Sequence, residues 1–278
     1  MPGISFITTC KGRLAHLKET LPLLAAQGGE HEVIVVDYDC PQGAAAWVAE
    51  NFPTVRVVRE SNAPEFKAGR ARNLGAAVAR QPWLMFVDAD VRLPPAFGNY
   101  IQPALAPGRY LRAAPTQADT YGTCLVAKQD FERQGGYDEV LRGWSSEDDD
   151  LYSRLERYGG CTLATFPGAL LTALVHDDAL RMQFRGSDGK WLGHQINGFY
   201  LHIKYDLMRL LAAPRLDMPL RVSLYEEVRR AVLAVAPQEA ERASVTVAVP
   251  GDDAVRIIGG KVRRRWVYEL EFQRDRES

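Results

Sequence analysis

The feature that most restricts this chain is the alternation of its first ninety residues. Short apolar runs, "ISFITT", "EVIVVD", "VRVVRE" and "WLMFVD", are separated by helical patterns, "RLAHLKETLPLLAAQ", "GAAAWVAENF" and "GRARNLGAAVAR". Runs rich in Val, Ile and Phe read as strands, and the longer periodic stretches read as helices. The resulting β-α-β-α-β-α-β order predicts an α/β fold, with a mostly parallel central sheet flanked by helices. Ligands of such sheets bind at the carboxyl ends of the strands.

Further on, "RYLRAAP" and "GTCLVAK" read as strands, and "QDFERQGGYDEVL" leads into "GWSSEDDDLYSRL". The helix in that stretch carries Leu151, Leu155 and Tyr158 at i, i+4 and i+7 before Gly159 ends it. A strand, "CTLATFP" or "ALLTALV", then brings the chain to His176. Beyond Pro214 the pattern changes to a helix, "SLYEEVRRAVLAVA", and two strand-like runs, "ASVTVAV" and "RRRWVYELEF". At roughly 100 to 200 residues per domain, the 278 residues divide into a main domain, 1–213, and a small α+β C-terminal appendage, 214–278.

Composition removes several function classes. A net charge of -1, with 46% hydrophobic and 25% charged residues, gives no global attraction to nucleic acid or anionic membrane. The four cysteines are far apart with no Cys-x-x-Cys pair, so neither a zinc site nor a disulfide framework is signalled, and a reducing compartment is expected. No apolar run approaches the ~20 residues that cross a bilayer, and "MPGISFITT" has no basic leader. The expectation is a cytoplasmic protein without a transmembrane segment. Peripheral contact with a membrane, a partner or an acceptor through the basic "KVRRRW" stays open.

The polar residues sit where the fold would use them. Thr9, Lys11 and Arg13 end or follow the first strand, Asp37 and Asp39 close the second, and Asp88 and Asp90 close "WLMFVD". All should gather along one rim, where acidic pairs and cations suit a ligand bearing phosphates and a metal ion, such as a nucleotide diphosphate. Asp88 and Asp90 form an Asp-x-Asp pair whose side chains would point to one side, as a metal bridging a diphosphate needs. Strand-end aspartates are also common turn formers. Lys67, Arg70, Arg72 and Asn73 open the helix before that pair, either as solvent-facing polar residues or as an anion site. His176 offers an imidazole, and oxygen ligands with one imidazole suit Mn²⁺ and tolerate Mg²⁺. Phe184 to His194, with glycines at 186, 189 and 193, reads as a surface loop or a glycine-hinged lid.

"SSEDDD" admits two explanations. Ser146 can cap the helix while Glu147 to Asp150 face the positive end of its dipole. Four consecutive carboxylates exceed what a cap requires, because like charges repel and the dipole contributes only about 0.3 to 1 kcal/mol per group.

The order of "ARNLGAAVA", "FVDAD", "GGYDEVLRGWSSEDDDLYSRL" and a downstream histidine resembles the glycosyltransferase family 2 group with the glycosyltransferase A fold. Within it, "RGWSSEDDDLYSRL" is similar to the Gly-Trp-Gly-Gly-Glu-Asp-Asp-Asp stretch of the β-1,4-galactosyltransferases. The resemblance covers about Ile4 to His194. It implies a uracil contact for Asp37, a place near the nucleotide for Arg72, a ribose-side role for Asp88, and metal ligation by Asp90 and His176. It further implies that Trp144 rides a mobile loop over the donor, that Glu147 binds the acceptor and that Asp148 is the catalytic base. Ser145 and Ser146 replace the two glycines, and "VDYDC" replaces the usual Asp-Asp-Gly-Ser.

The implied activity is inverting, Mn²⁺-dependent transfer from a UDP-sugar, with galactose or an N-acetylhexosamine as first guess, to the hydroxyl of a carbohydrate or other acceptor. Adjacent acids such as Glu147 and Asp148 cannot easily flank one bond as glycosidase pairs do. Asp148 also distinguishes the chain from the retaining polypeptide N-acetylgalactosaminyltransferases, which typically carry Glu-Asn there. The rival readings are a nucleotidyltransferase, for which "TTCKGRLAH" is short and glycine-poor, and a non-catalytic nucleotide-sugar-binding domain.

Overall fold

A computed structural model of the chain describes residues 2–143, 146–186, 188–235, 242–248, 255–257, 260–262 and 265–272. The chain divides into two compact units, residues 1–187 and 188–278, earlier than the expected boundary at 213/214.

The first unit begins with the expected alternation: β1 (Ile4–Cys10), α1 (Leu14–Ala25), β2 (Glu32–Tyr38), α2 (Ala44–Asn51), β3 (Arg56–Glu60), α3 (Ala68–Val78) and β4 (Trp83–Phe86). There follow β5 (Val91–Arg92), α4 (Phe97–Ile101), β6 (Arg109–Ala114), β7 (Cys124–Ala127), α5 (Lys128–Arg133), α6 (Glu147–Arg157), β8 (Thr162–Pro167), β9 (Thr172–Ala173) and α7 (Asp178–Met182). The central sheet has seven strands in the order β3-β2-β1-β4-β7-β6-β8. β1 pairs parallel with both β2 and β4, β2 with β3 and β6 with β8, while β7 runs antiparallel to its neighbours β4 and β6.

This order follows from strands that are apolar on both faces. Phe6, Val33, Val35 and Met85 pack with Leu17, Leu21 and Val48 on one side, whereas Ile7, Ile34, Val36, Leu84 and Phe86 pack with Ala71, Leu151 and Leu155 on the other. Neighbouring strand residues point to opposite faces, so each strand serves both cores. Gly75 lets α3 lie close to the sheet, since a Cβ there would come within 2.4 Å of Ile7. The chain runs outward from β1 to β3 and returns to place β4 on the other side of β1. That reversal opens a crevice at the carboxyl ends of β1 and β4.

The second unit contains α8 (Gly189–Leu210), α9 (Met218–Val235), β10 (Arg242–Ala248), β11 (Val255–Ile257), β12 (Gly260–Val262) and β13 (Arg265–Glu271). α8 and α9 pack through Tyr200 and Tyr225, edge to face at 5.3 Å, with Tyr225 Oη donating to Asn197 at 3.2 Å. β10 and β13 pair antiparallel. The glycine-bearing stretch from Phe184 to His194 is not one loop, because α8 starts at Gly189; the apolar period of Ile196, Tyr200 and Leu207 extends the helix back across its glycines. No helix among the described residues is long and apolar enough to cross a membrane.

Candidate active site

Thr9, Lys11, Arg13, Arg72, Asp88, Asp90, Glu147 and Asp148 line one cleft of about 350 Å³ in the first unit, a volume in the range of small-ligand sites. The parallel register sets Cys10 beside Asp37, and β4 delivers Asp88 and Asp90 just beyond its own end.

The two aspartates border the same cleft but take different partners. The chain leaves β4 at Phe86 and turns, with Val91 N donating to Asp88 O at 3.0 Å, so the alternation of a strand no longer applies. Asp88 accepts from Arg72 Nη2 at 2.9 Å, whereas Asp90 accepts from Arg13 Nη1 at 2.6 Å and lies 2.5 Å from His176 Nε2. His176 reaches this point because β5 and β9 pair antiparallel, Val91 opposite Ala173, and Leu174 N donates to Asp90 O at 2.7 Å.

Arg72 is the hub of the other half. Its Nη1 donates to Asp148 at 2.9 Å and lies 3.5 Å from Glu147 Oε1. Burial would depress this guanidinium, but the charges of Asp148, Asp88 and Glu147 outweigh it and hold its pKa well above the ordinary value. Burial also pushes Asp88 up, yet the charge and hydrogen bond of Arg72 prevail and leave it below the usual carboxylate range. Asp148 goes the other way. Burial is the main cause, the charges of Glu147, Asp88 and Asp149 add to it against Arg72, and the carboxyl is raised to about 7.

The four consecutive acids are distributed by helical rotation, about 100° per residue. Glu147 and Asp148 line the cleft, Asp149 is exposed and accepts from Tyr121 Oη, and Asp150 is fully buried on Arg154 at 2.7 Å. Ser146 does not cap: it sits at φ 83° and makes no side-chain capping hydrogen bond. Backbone in that left-handed region forms a tight entry to α6 and favours glycine.

Other expected residues lie beside the cleft rather than on its wall. Asp37 accepts from the N–H groups of Cys40 at 2.8 Å and Ala45 at 2.7 Å, shaping the turn after β2. Asp39 accepts from Ala63 N at 3.1 Å, and Lys11 Nζ donates to the carbonyls of Asp39 and Ala63 at 2.9 and 2.8 Å. Asn73 is engaged with the backbone N–H and C=O of Tyr137 and with Glu139. Lys67 precedes α3 in an adjoining crevice. Trp144 lies outside the described residues.

Several contributors were not read from the sequence. His16 on α1 joins Asp90 and His176, with one ligand atom from each residue all within 4.8 Å. Its place three residues after Arg13, on the same helical face, was the available signal. Burial lowers its pKa below the usual imidazole value. Gly122 lies against the Arg72 network, since a Cβ there would come within 2.6 Å of Arg72 and 3.0 Å of Asp88. Phe184 and Arg185, which open the stretch read from the sequence as a loop or lid, line the cleft, Phe184 with the Lys11 ammonium 5.0 Å over its ring.

A mostly parallel sheet with this cleft at its reversal point, bordered by carboxylates and cations, is consistent with the A-type fold expected from the sequence. The profile "Glycosyl transferase family 2" matches residues 5–111, and "N-terminal domain of galactosyltransferase" matches residues 113–176. Together these matches span residues 5–176, so the first unit is similar to family 2 glycosyltransferases over its first segment and to galactosyltransferases over its second.

Similar solved structures include a mannosyltransferase from Pyrobaculum calidifontis in complex with GDP-Man and Mn²⁺, at 16% identity and a TM-score of 0.53, covering 86% of this chain and 76% of that one. The catalytic domain of Drosophila β1,4-galactosyltransferase 7, in complex with xylobiose, aligns at 15% identity and a TM-score of 0.51 over 71% of this chain and 80% of its own. TarS of S. aureus gives 15% identity and a TM-score of 0.55 over 83% of this chain and 43% of that chain. At these identities the likeness concerns the fold. No protein of curated function matches the chain in sequence.

Proposed function

We propose that the chain is an inverting, metal-dependent glycosyltransferase that moves a sugar from a UDP-sugar to an acceptor hydroxyl, with galactose or an N-acetylhexosamine as the transferred group. The observation that carries this reading is Asp148. It borders the cleft, is held at 2.9 Å by Arg72, and its carboxyl is raised to about 7. A base whose pKa lies near the working pH combines availability with driving force. Asp148 therefore takes the proton of the acceptor hydroxyl as that oxygen attacks the anomeric carbon and the nucleoside diphosphate leaves. Glu147, beside it on the same wall, holds the acceptor by accepting from its other hydroxyls.

Other residues of the cleft answer the charge of the leaving group. Lys11, Arg13, Arg72 and Arg185 border the cleft and neutralise the diphosphate. Asp37, Asp39, Lys67 and Asn73 support the nucleotide end, chiefly by fixing loops. Asp90 and His176, in direct contact at 2.5 Å, form the core of a donor set that fits a divalent cation. Such a cation, when bound, adds positive charge where the diphosphate departs. The Pyrobaculum calidifontis relative, in complex with GDP-Man and Mn²⁺, supports a nucleotide diphosphate donor and a divalent ion for this fold. We assign the transfer to the first unit, which holds every residue named here.

The test is UDP release from a panel of UDP-sugars, with and without Mn²⁺, for the wild type, Asp90→Ala and Asp148→Asn. Slow hydrolysis of the donor requires no identified acceptor. Metal-dependent release from one sugar, lost in Asp90→Ala, is expected. No release from any UDP-sugar would refute the donor assignment.

A further inference from the structure

α1 brings a second imidazole to the place where Asp90 and His176 meet. His16 lies in the first turn of this helix, and Thr20 on the same helix donates to Ala89 O at 2.8 Å, tying α1 to the turn that carries Asp90. The rings of His16 and His176 are 5.2 Å apart at 31°. One ligand atom each from His16, Asp90 and His176 falls within 4.8 Å of the others, while His16 Nδ1 is buried without a hydrogen-bond partner. An unsatisfied buried nitrogen is costly and rare enough to require a reason.

We propose that His16 is a third protein ligand of the divalent cation held by Asp90 and His176, and that this two-imidazole, one-carboxylate set selects Mn²⁺ over Mg²⁺. The proposal rests on the metal-dependent reading above and deepens it by naming a ligand and the selectivity it confers. Imidazole nitrogen suits first-row transition ions, whereas Mg²⁺ prefers oxygen ligands and retains its waters. Three protein ligands leave the remaining positions of such an ion open to diphosphate oxygens. Arg13, 2.6 Å from Asp90 Oδ2 and 3.2 Å from His176 Nε2, supplies the positive charge at this point in the structure. A cation held by these three residues would supply that charge instead.

The competing explanation is that His16 only packs against His176. His16→Phe separates the two, since it keeps an aromatic ring and removes both nitrogens. The full chain, freed of metal, is titrated with Mn²⁺ while free Mn²⁺ is followed by electron paramagnetic resonance, and bound imidazoles are counted by pulsed detection of ¹⁴N couplings. Competition with Mg²⁺ gives the selectivity.

The expected wild-type result is two imidazole couplings and weak displacement by Mg²⁺. In His16→Phe one coupling remains and Mg²⁺ competes better. Removing even an outer-shell partner weakens metal binding by about 10 to 100-fold, so loss of a direct ligand should weaken Mn²⁺ by at least ~10-fold. Wild-type affinity in His16→Phe, or a single coupling in the wild type, overturns the proposal and leaves the metal-dependent reading standing. A wild type that binds no Mn²⁺, with or without UDP, overturns both. Should His16→Phe fail to fold, the count of couplings in the wild type decides alone.

Discussion

Asp148→Asn should stabilise the protein above neutral pH while it disables transfer. The raised carboxyl means that the folded chain binds a proton more tightly than the unfolded chain does. Between the unfolded value of 3.8 and the folded value of about 7, the folded state carries the extra proton, so stability falls as pH rises through that window. About three units at 1.36 kcal/mol each amount to roughly 4 kcal/mol, fully lost above pH ~8 and absent as a difference below pH ~4. Asn reproduces the neutral acid and removes the dependence. For a unit of 187 residues this corresponds to a rise in Tm of up to roughly 8 to 16 °C at pH 8. The assay is thermal unfolding of both proteins in EDTA from pH 4 to 8. Curves that stay parallel over the whole range would refute the burial argument for Asp148. In transfer assays the wild-type kcat/KM should fall tenfold per pH unit below about 7, and the Asn variant should lose about 10² to 10⁴ in rate, the usual weight of a general base. A near-normal rate in Asp148→Asn would remove the base assignment.

Three further outcomes follow from neighbouring contacts. Asp150→Ala leaves Arg154, 3% exposed, without its carboxylate and should cost about 3 to 5 kcal/mol in denaturant unfolding, with no specific effect on metal or nucleotide binding. Gly122→Ala should leave the fold intact by circular dichroism but displace Arg72 and Asp88, so the rate falls while Tm changes little. Cys40, lowered to about 6 by its hydrogen bond with Cys10 and by backbone N–H groups that include Gly12, should be the first cysteine alkylated by iodoacetamide at pH 7, as peptide mass mapping would show.

Much of the first unit was legible because its strands are long enough, and apolar enough, to declare themselves. The runs ending at Thr9, Asp37 and Asp88 are parallel neighbours whose carboxyl ends lie together, since a parallel strand's carboxyl end is set by its direction alone. Illegible was anything decided by a turn. Asp88 and Asp90 border one cleft but take different partners because the backbone has already left the strand, and Ser146 makes no side-chain cap because its φ of 83° turns the chain before α6. Asp37 is drawn to two backbone N–H groups, a choice made by the loop after β2 rather than by the residue type. His16 escaped notice because its partners are 74 and 160 residues away along the sequence, brought near by the β5–β9 pairing.

The run of four carboxylates shows how one helical turn can serve both core and site. Successive residues rotate by about 100°, so a run that looks redundant in sequence meets four different environments in space. The interior takes Asp150, which Arg154 neutralises; solvent takes Asp149; and the cleft takes Glu147 and Asp148, which must share Arg72 with Asp88. One guanidinium cannot fully neutralise three carboxylates. Arg72 reaches both at 2.9 Å, but the deficit falls on Asp148 because Asp88 also feels the charges of Arg13 and Arg185 and is held low, while Asp148 has Glu147 and Asp149 beside it and is more deeply enclosed, 14% exposed at its side chain against 35% for Asp88. Replacing any of these neighbours should therefore retune the base: Glu147→Gln removes one repelling charge and is expected to shift the acidic limb of the kcat/KM profile to lower pH, apart from any loss in acceptor affinity. An unmoved limb would mean that burial alone sets the value.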